Sequence, residues 1–394
     1  MKYAKCFLTV SLVFVAALLL LIACQGKKVQ NGDAAQSIGT TTEAFNTGWS
    51  GPLREELPRR KIGVMYYTFT DKLGTQMKNA ISYLAEGFNI EPVFYEFPLG
   101  TEGVLATVEG ALQSDIDGII AVACTPAIID VCKNNGNVPF VTIQTEPIND
   151  EQAKEMAAYD NYLGAVSEDD YQTAYNAIQA LYNAGARNFG VCGVTKGMLR
   201  SHDLRAEAAL NFIREHPDAK LIADDYSSNF AQAIESWAAT YPELDGLFTT
   251  AASEQILQTI QTNGLTGKVK YASIDISPSA GEFFQSGDLT WIAGGQYGTT
   301  MIGFAILYNY LADGTRIIPD TSKTLLRPFL YVGSYQDYET YVKYVDSGIP
   351  VYSVGEVGNM IHAFNPEVDF NYFKHLADVY SIADIEARHK DIIQ

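Results

Sequence analysis

The amino-acid sequence predicts an α/β protein made of two doubly wound parallel-sheet lobes in tandem. Three observations carry that prediction. From Lys61 onward, short apolar runs without polar alternation, such as Ile62–Tyr67 and Gly118–Val122, alternate with segments whose apolar residues recur at helical spacing. Strands of that kind are buried on both faces, as in a parallel sheet covered by helices. The alternation comes in two stretches of similar length, with a break near Tyr159–Leu163. The chain has 394 residues, 47% hydrophobic and 19% charged, enough for a core in each of two ordinary domains. This composition excludes a disordered polymer, a collagen-like repeat and a disulfide-stapled miniprotein.

The first segment is not part of either lobe. Met1–Lys5 is short and basic, and Phe7–Ala23 is almost continuously apolar, broken by Thr9 and Ser11. A basic start followed by such a run reads as an export signal, residues 1–23. The run is also short for a membrane span of about 20 residues. It ends in Leu21-Ile22-Ala23-Cys24, which resembles the lipobox of bacterial lipoproteins. That resemblance implies a diacylglycerol-modified Cys24 and a chain anchored outside the cytoplasm through its lipid. Residues 24–57 follow as a tether, rich in Gly, Ser, Thr, Asn and Gln, without periodicity. Such a stretch buries too little surface to offset its ordering entropy. Phe45 and Trp49 are its large apolar exceptions.

In the first lobe the pattern predicts strands over 62–67, 92–97, 118–122 and 138–143. Leu73, Met77, Ala80, Ile81 and Leu84 mark the first helix, Val104–Leu112 the second, and Pro126 opens a third through Cys132. In the second lobe, helices over 168–184, 203–215, 231–239, 253–262 and 279–286 alternate with strands over 188–193, 220–225, 245–249 and 269–274. A strand at Leu289–Ala293 and a helix over 298–312 then return the chain to the first lobe.

Charge and cysteines narrow the function. From Cys24 onward 25 basic residues face 46 acidic ones, a net charge of −21. Such a surface repels phosphate backbones, so nucleic acid is not an expected partner. With Cys6 in the signal and Cys24 in the lipobox, Cys124, Cys132 and Cys192 remain, with no metal-type spacing. They permit at most one disulfide, and buried free thiols are the expectation.

Several segments, in order and at suitable spacing, resemble the type I periplasmic binding proteins, particularly the ribose/galactose-binding branch with its LacI-like ligand-binding fold. They are Lys61-Ile62-Gly63-Val64, Asp117-Gly118-Ile119-Ile120, Val138–Ile143 and Asp160-Asn161-Tyr162-Leu163-Gly164. Leu204-Arg205-Ala206-Glu207, Ile274-Asp275-Ile276-Ser277-Pro278 and Gly303-x-Ala305 complete the set, which runs from about 60 to 345. The resemblance implies two lobes joined by a three-crossing hinge. The expected boundaries are 58–159 plus 292–331 for the N-terminal lobe and 160–291 plus 332–352 for the C-terminal lobe. Crossings are expected near 159–163, 289–293 and 328–333. Residues 353–394 are expected as a helical extension packed on the C-terminal lobe, since so short a piece is small for a core of its own.

In that fold the ligand sits between the lobes, at the carboxyl ends of both sheets. The resemblance therefore implies ligand contacts from Tyr67, Phe69, Asp71, Gln144, Arg205, Phe230, Asp275 and Gln296, with Asp160 and Asn161 at the hinge. Carboxylates and a guanidinium make charge-assisted bonds to hydroxyls, and an aromatic ring covers an apolar C–H face, which suits a sugar or polyol. Each residue also has a plainer reading. Asp71 can cap the helix after it, Arg205 can pair with a neighbouring acid, and Tyr67 and Phe230 can be core. Ala251-Ala252-Ser253-Glu254 departs from the Asn followed by Asp that sugar-binding relatives usually show, and the first loop lacks their Asn-Pro-Phe-Phe.

No nucleophile elbow, zinc-protease helix, Walker loop or dinucleotide fingerprint is present in the sequence, and the five His are scattered. The expectation is a monomeric lipoprotein without catalytic residues, metal or cofactor, capturing a small polar ligand and delivering it to an ABC permease. A co-receptor for a membrane sensor kinase or chemoreceptor, or a nucleoside-binding transport lipoprotein, is the alternative.

Overall fold

Two six-stranded sheets organise the chain, and the apolar runs of the sequence become their strands. The computed structural model describes residues 49, 51–52, 54–97, 101–122, 129–130, 132 and 137–393. The signal segment 1–23, Cys24, Phe45, most of the tether, Cys124 and the helix opening at Pro126 lie outside the described residues. The first sheet has the order β11-β5-β4-β3-β1-β2 and all its pairings are parallel. Its strands are β1 (Arg60–Tyr66), β2 (Ile90–Glu96), β3 (Gly118–Ala121), β4 (Phe140–Ile143), β5 (Tyr162–Glu168) and β11 (Thr324–Arg327). The second sheet has the order β12-β10-β9-β8-β6-β7. It contains β6 (Asn188–Cys192), β7 (Lys220–Asp225), β8 (Gly246–Thr249), β9 (Lys270–Ile274), β10 (Leu289–Gly294) and β12 (Leu330–Val332). β12 runs antiparallel to β10 at the sheet edge, and the other pairings are parallel.

Helices α1 (Lys72–Phe88), α2 (Thr101–Leu112) and α3 (Asp150–Ala157) belong to the first lobe. Helices α4 (Asp170–Asn183), α5 (Arg200–Glu215), α6 (Phe230–Thr240), α7 (Glu254–Thr262) and α8 (Ala280–Ser286) belong to the second. Polar side chains start several of them: Asp71, Asn149, Asp169 and Ser253 each accept a backbone amide at the helix N-terminus. Helix α9 (Tyr297–Asp313) is buried along its whole length from Tyr297 to Asn309, packed on β3, β4, β5 and α1. It approaches the sheet closely at Gly303, where a Cβ would come within 2.5 Å of the Ile143 side chain. An apolar face of 3.6-residue period is absent from such a helix because every face is interior.

Two of the expected crossings lie elsewhere. The first follows Glu168, not 159–163, because Tyr162–Glu168 is a fully buried strand of the first sheet. Its polar end, Ser167-Glu168, reads in sequence as the start of a helix, which hides the strand. The second follows Gly294, because β10 pairs with β9 and β12 and so stays in the second sheet. The third, at Pro328-Phe329 between β11 and β12, falls where expected. Asp160 and Asn161 accordingly stand at the amino end of β5, away from the crossing. There the Asn161 side chain donates to the Val138 carbonyl at 3.3 Å and the Asp160 carbonyl accepts from Arg316 at 2.6 Å.

The C-terminal extension also departs from its expected place. Helix α10 (Tyr335–Tyr344) packs on α8 and β12 of the second lobe, but α11 (Val354–Gly358) packs on α1 and α9 of the first. Helix α12 (Phe370–Val379) lies on β11 of the first sheet, and α13 (Ile382–His389) returns to α10. The extension therefore spans both lobes. The last part of the tether is docked as well: Leu57 is buried, and the Trp49 ring stacks on Phe88 with centroids 5.4 Å apart and lies 5.8 Å from Phe364. Cys132 and Cys192 are both buried, and burial pushes the Cys192 thiol up.

Candidate functional site

The loops leaving the carboxyl ends of β1 and β9 bring charged residues of the two lobes together, Lys72 of the first lobe reaching the Ile276 carbonyl of the second. On the second lobe the centre is Arg205. Helix α5 buries it, where its Nε donates to Asp170 Oδ1 at 2.7 Å and its Nη1 to the Thr250 carbonyl at 2.7 Å. Asp170, in the first turn of α4, is itself buried, and its Oδ2 has no partner among the described residues. Burial raises the Asp170 carboxyl, with Arg205 pulling it back. Burial alone would lower the Arg205 guanidinium, but Asp170 and Asp275 outweigh it and hold it up. A buried charge stays ionised only where such partners compensate its lost hydration.

Asp275 directly follows β9 with a left-handed φ of 76°. Its amide donates to the Ala293 carbonyl at 2.8 Å, and its carboxylate accepts from the side chain of Gln296. Burial raises its carboxyl, Arg205 and Gln296 lower it, and the first-lobe residues Asp71 and Lys72 act on it across the boundary. A non-glycine residue held at positive φ in such a loop is strain that the surroundings must impose.

The first lobe contributes Asp71, the N-cap of α1, which accepts from the Gly74 amide at 2.6 Å and from the Tyr67 hydroxyl. The Tyr67 ring packs on Tyr66 at 4.4 Å and is 39% exposed, so it remains accessible at the sheet end. Burial, then the bond to Asp71, pushes its hydroxyl up to about 12. Lys72 reaches across to the second lobe, donating to the Ile276 carbonyl at 3.1 Å and to Asp346 at 2.8 Å.

The structure thus unites Tyr67, Asp71, Arg205, Asp275 and Gln296, and treats the other expected contacts differently. Phe69 is buried in the first-lobe core, its ring edge-on to Phe94 at 5.1 Å. Phe230 opens α6 beyond the edge strand β7 and packs on the hydrophobic core. Gln144, with a φ of 59°, donates to the Gln296 carbonyl and the Thr300 hydroxyl, each at 3.3 Å, and so ties β4 to the second crossing. Ser253 and Glu254, in the segment that departs from the sugar-binding pattern, cap α7 and bind the Ser279 amide. At that place the polar group offered to Arg205 is a backbone carbonyl.

Sequence reasoning missed Asp170 and Lys72, although two acids after an apolar strand were a visible signal for the first. The half-buried His202 ring bonds the Thr250 hydroxyl through Nδ1 at 2.9 Å, and burial with Arg205 nearby holds it well below the usual histidine range, hence neutral. No group of His, Cys, Asp and Glu suited to a metal ion is present among the described residues.

Known structures share this architecture. A solute-binding protein of an ABC transporter from Actinobacillus succinogenes, with bound D-allose, superposes with a TM-score of 0.63 at 18% identity, covering 71% of this chain and 100% of that one. One from Agrobacterium vitis bound to α-D-tagatopyranose gives 0.61 at 17% identity, covering 73% and 97%. One from Bacillus halodurans with myo-inositol gives 0.61 at 18% identity, covering 73% and 99%. No curated protein matches the chain by sequence. The periplasmic binding protein domain matches residues 62–315. With both lobes, their crossings and the charged interlobe cluster inside or beside that match, the chain belongs to the periplasmic binding protein domain family, whose members bind solutes and are not enzymes.

Proposed function

We propose that the protein is an extracytoplasmic lipoprotein, held to the membrane through Cys24, that captures a small neutral sugar or polyol between its lobes and delivers it to an ABC permease. The observation that carries this reading is the meeting of Asp71 from one lobe with Asp275 and Arg205 from the other. Three carboxylates, of Asp71, Asp170 and Asp275, stand against the two cations Arg205 and Lys72, which suits hydroxyl donors and disfavours phosphorylated or acidic ligands. The bound sugars and inositol of the similar structures favour the same class. No covalent step is required. Ligand held by one lobe closes the other onto it, a population shift driven by its greater affinity for the closed state.

A thermal-shift screen of pentoses, hexoses, inositols, nucleosides and amino acids tests the ligand class. At about 100 times Kd, binding adds about 2.7 kcal/mol of stability, which the melting temperature reports. The expected result is a sugar or polyol that binds tens of fold more weakly to Asp275→Ala, since losing one partner of a buried charged bond costs about 2–5 kcal/mol. Stabilisation by nucleosides or amino acids alone would overturn the sugar assignment.

A further inference from the structure

The C-terminal extension changes the hinge. Beyond the three crossings at 169, 295–296 and 328–329, residues 345–353 carry the chain from α10 on the second lobe to α11 on the first. Tyr380-Ser381 then carries it back, from α12 on β11 to α13 on α10. The extension seats closely on the first lobe at α11: a Cβ at Gly87 of α1 would come within 2.2 Å of the Val354 side chain.

One buried side chain lies among all five of these passages. Arg327, the last residue of β11, is 2% exposed. Its Nη1 donates to the Thr299 hydroxyl at 3.0 Å, and that hydroxyl donates to the Glu168 carboxylate. Its Nη2 donates to the Tyr352 hydroxyl at 3.0 Å, and its guanidinium lies 4.2 Å from the centre of the Tyr380 ring. Glu168 precedes the first crossing, Thr299 follows the second, Arg327 precedes the third, and Tyr352 and Tyr380 belong to the two passages made by the extension. Glu168, Thr299, Tyr352 and Tyr380 are all buried. The Tyr380 hydroxyl also donates to the Gly295 carbonyl at 3.1 Å, on the second crossing itself.

We infer that Arg327 is a positioning residue for the interlobe cleft: by standing at the third crossing and gathering a side chain from each of the other four passages, it holds the lobes at the angle that sets Asp71 and Lys72 opposite Asp275 and Arg205. A guanidinium suits this place because its planar fork serves several partners in fixed directions, which an ammonium on a flexible stem does not. The extension acts as a strap: its two passages limit how far the lobes swing apart, and Arg327 couples them to the crossings. A rim contact reinforces it, since Lys72 and Gln76 of α1 both donate to Asp346 at 2.8 Å.

Amide hydrogen exchange on the full chain tests this without any ligand, so the result is independent of which solute binds. The Asp169 amide donates to the Arg327 carbonyl at 2.7 Å and the Gly298 amide to the Gly295 carbonyl at 3.1 Å, which makes both reporters of the crossings. Ile119, bonded to Pro139 at 3.0 Å, and Tyr271, bonded to Asp288 at 2.9 Å, report the two sheets. In Tyr352→Phe, which removes one oxygen atom, exchange at Asp169 and Gly298 is expected to rise about tenfold while Ile119 and Tyr271 stay unchanged. Arg327→Lys should show the same pattern, more strongly. Should the Arg327 variant fail to fold, Tyr352→Phe decides alone. Unchanged exchange at the crossings, or equal acceleration at all four amides, would overturn the inference.

Discussion

Glu168 is a carboxyl buried at the first crossing of the hinge. Burial lifts its carboxyl from the usual 4.5 to about 7, the Asp170 charge adds to the rise, and Thr299 and Arg327 pull it back. Arg205, Tyr352 and Tyr380 complete the charged and titratable surroundings. The folded chain then holds this proton more tightly than the unfolded one, so stability falls as pH rises from about 4.5 to about 7. The whole change is about 3 kcal/mol at 1.36 kcal/mol per pKa unit. Glu168→Gln keeps an acceptor for Thr299 and should remove most of that slope, read as the urea unfolding free energy at about pH 5 and about pH 8. Identical slopes in both proteins would place the titration elsewhere. At this scale the sequence exposed Asp275, Arg205 and Asp71 through the resemblance, because their types match a motif at a strand end or helix start. It left Asp170 and Glu168 ambiguous, because acids after an apolar strand, though visible, read equally well as a helix cap.

Among the elements, the strap has a large energetic consequence. A chain ending at Tyr352 loses the buried side chains of Val354, Val357, Met360, Ile361, Phe373, Tyr380 and Ile385. It also uncovers the faces of α1, α9 and β11 that they pack against. At about 1.5–3 kcal/mol for each large apolar side chain, the loss is about 10–20 kcal/mol, as large as the 5–15 kcal/mol that holds a typical protein folded. Such a chain should show no cooperative transition by calorimetry, and melting at the full-length temperature would show the extension to be dispensable. Elements with continuous apolar runs, β1 and β3 among them, were legible because burial on both faces needs no partner to be specified. The strand β5 was not, since Gly164 interrupts its run and Ser167-Glu168 ends it with buried polar groups. Helix α3 was not either, because its eight residues bury little beyond Gln152, Ala153 and Met156.

For the whole molecule, capture between lobes requires relative motion, and the strap sets its amplitude. Saturation with the sugar found by screening should lower the radius of gyration measured by X-ray scattering. Unchanged scattering from a demonstrably liganded protein would remove closure from the mechanism. The alternation of buried strands with amphipathic helices determined, from sequence alone, that the chain forms two doubly wound lobes. Hydrophobic pattern is a local property, and it states that a strand is interior without naming its neighbours. Tertiary structure alone decided that β5 joins the first sheet and β10 the second, that Gln144 serves the hinge, and that the C-terminal helices span both lobes. Those outcomes depend on which distant surfaces are complementary in shape and which buried polar groups find partners, and neither is written in any one segment.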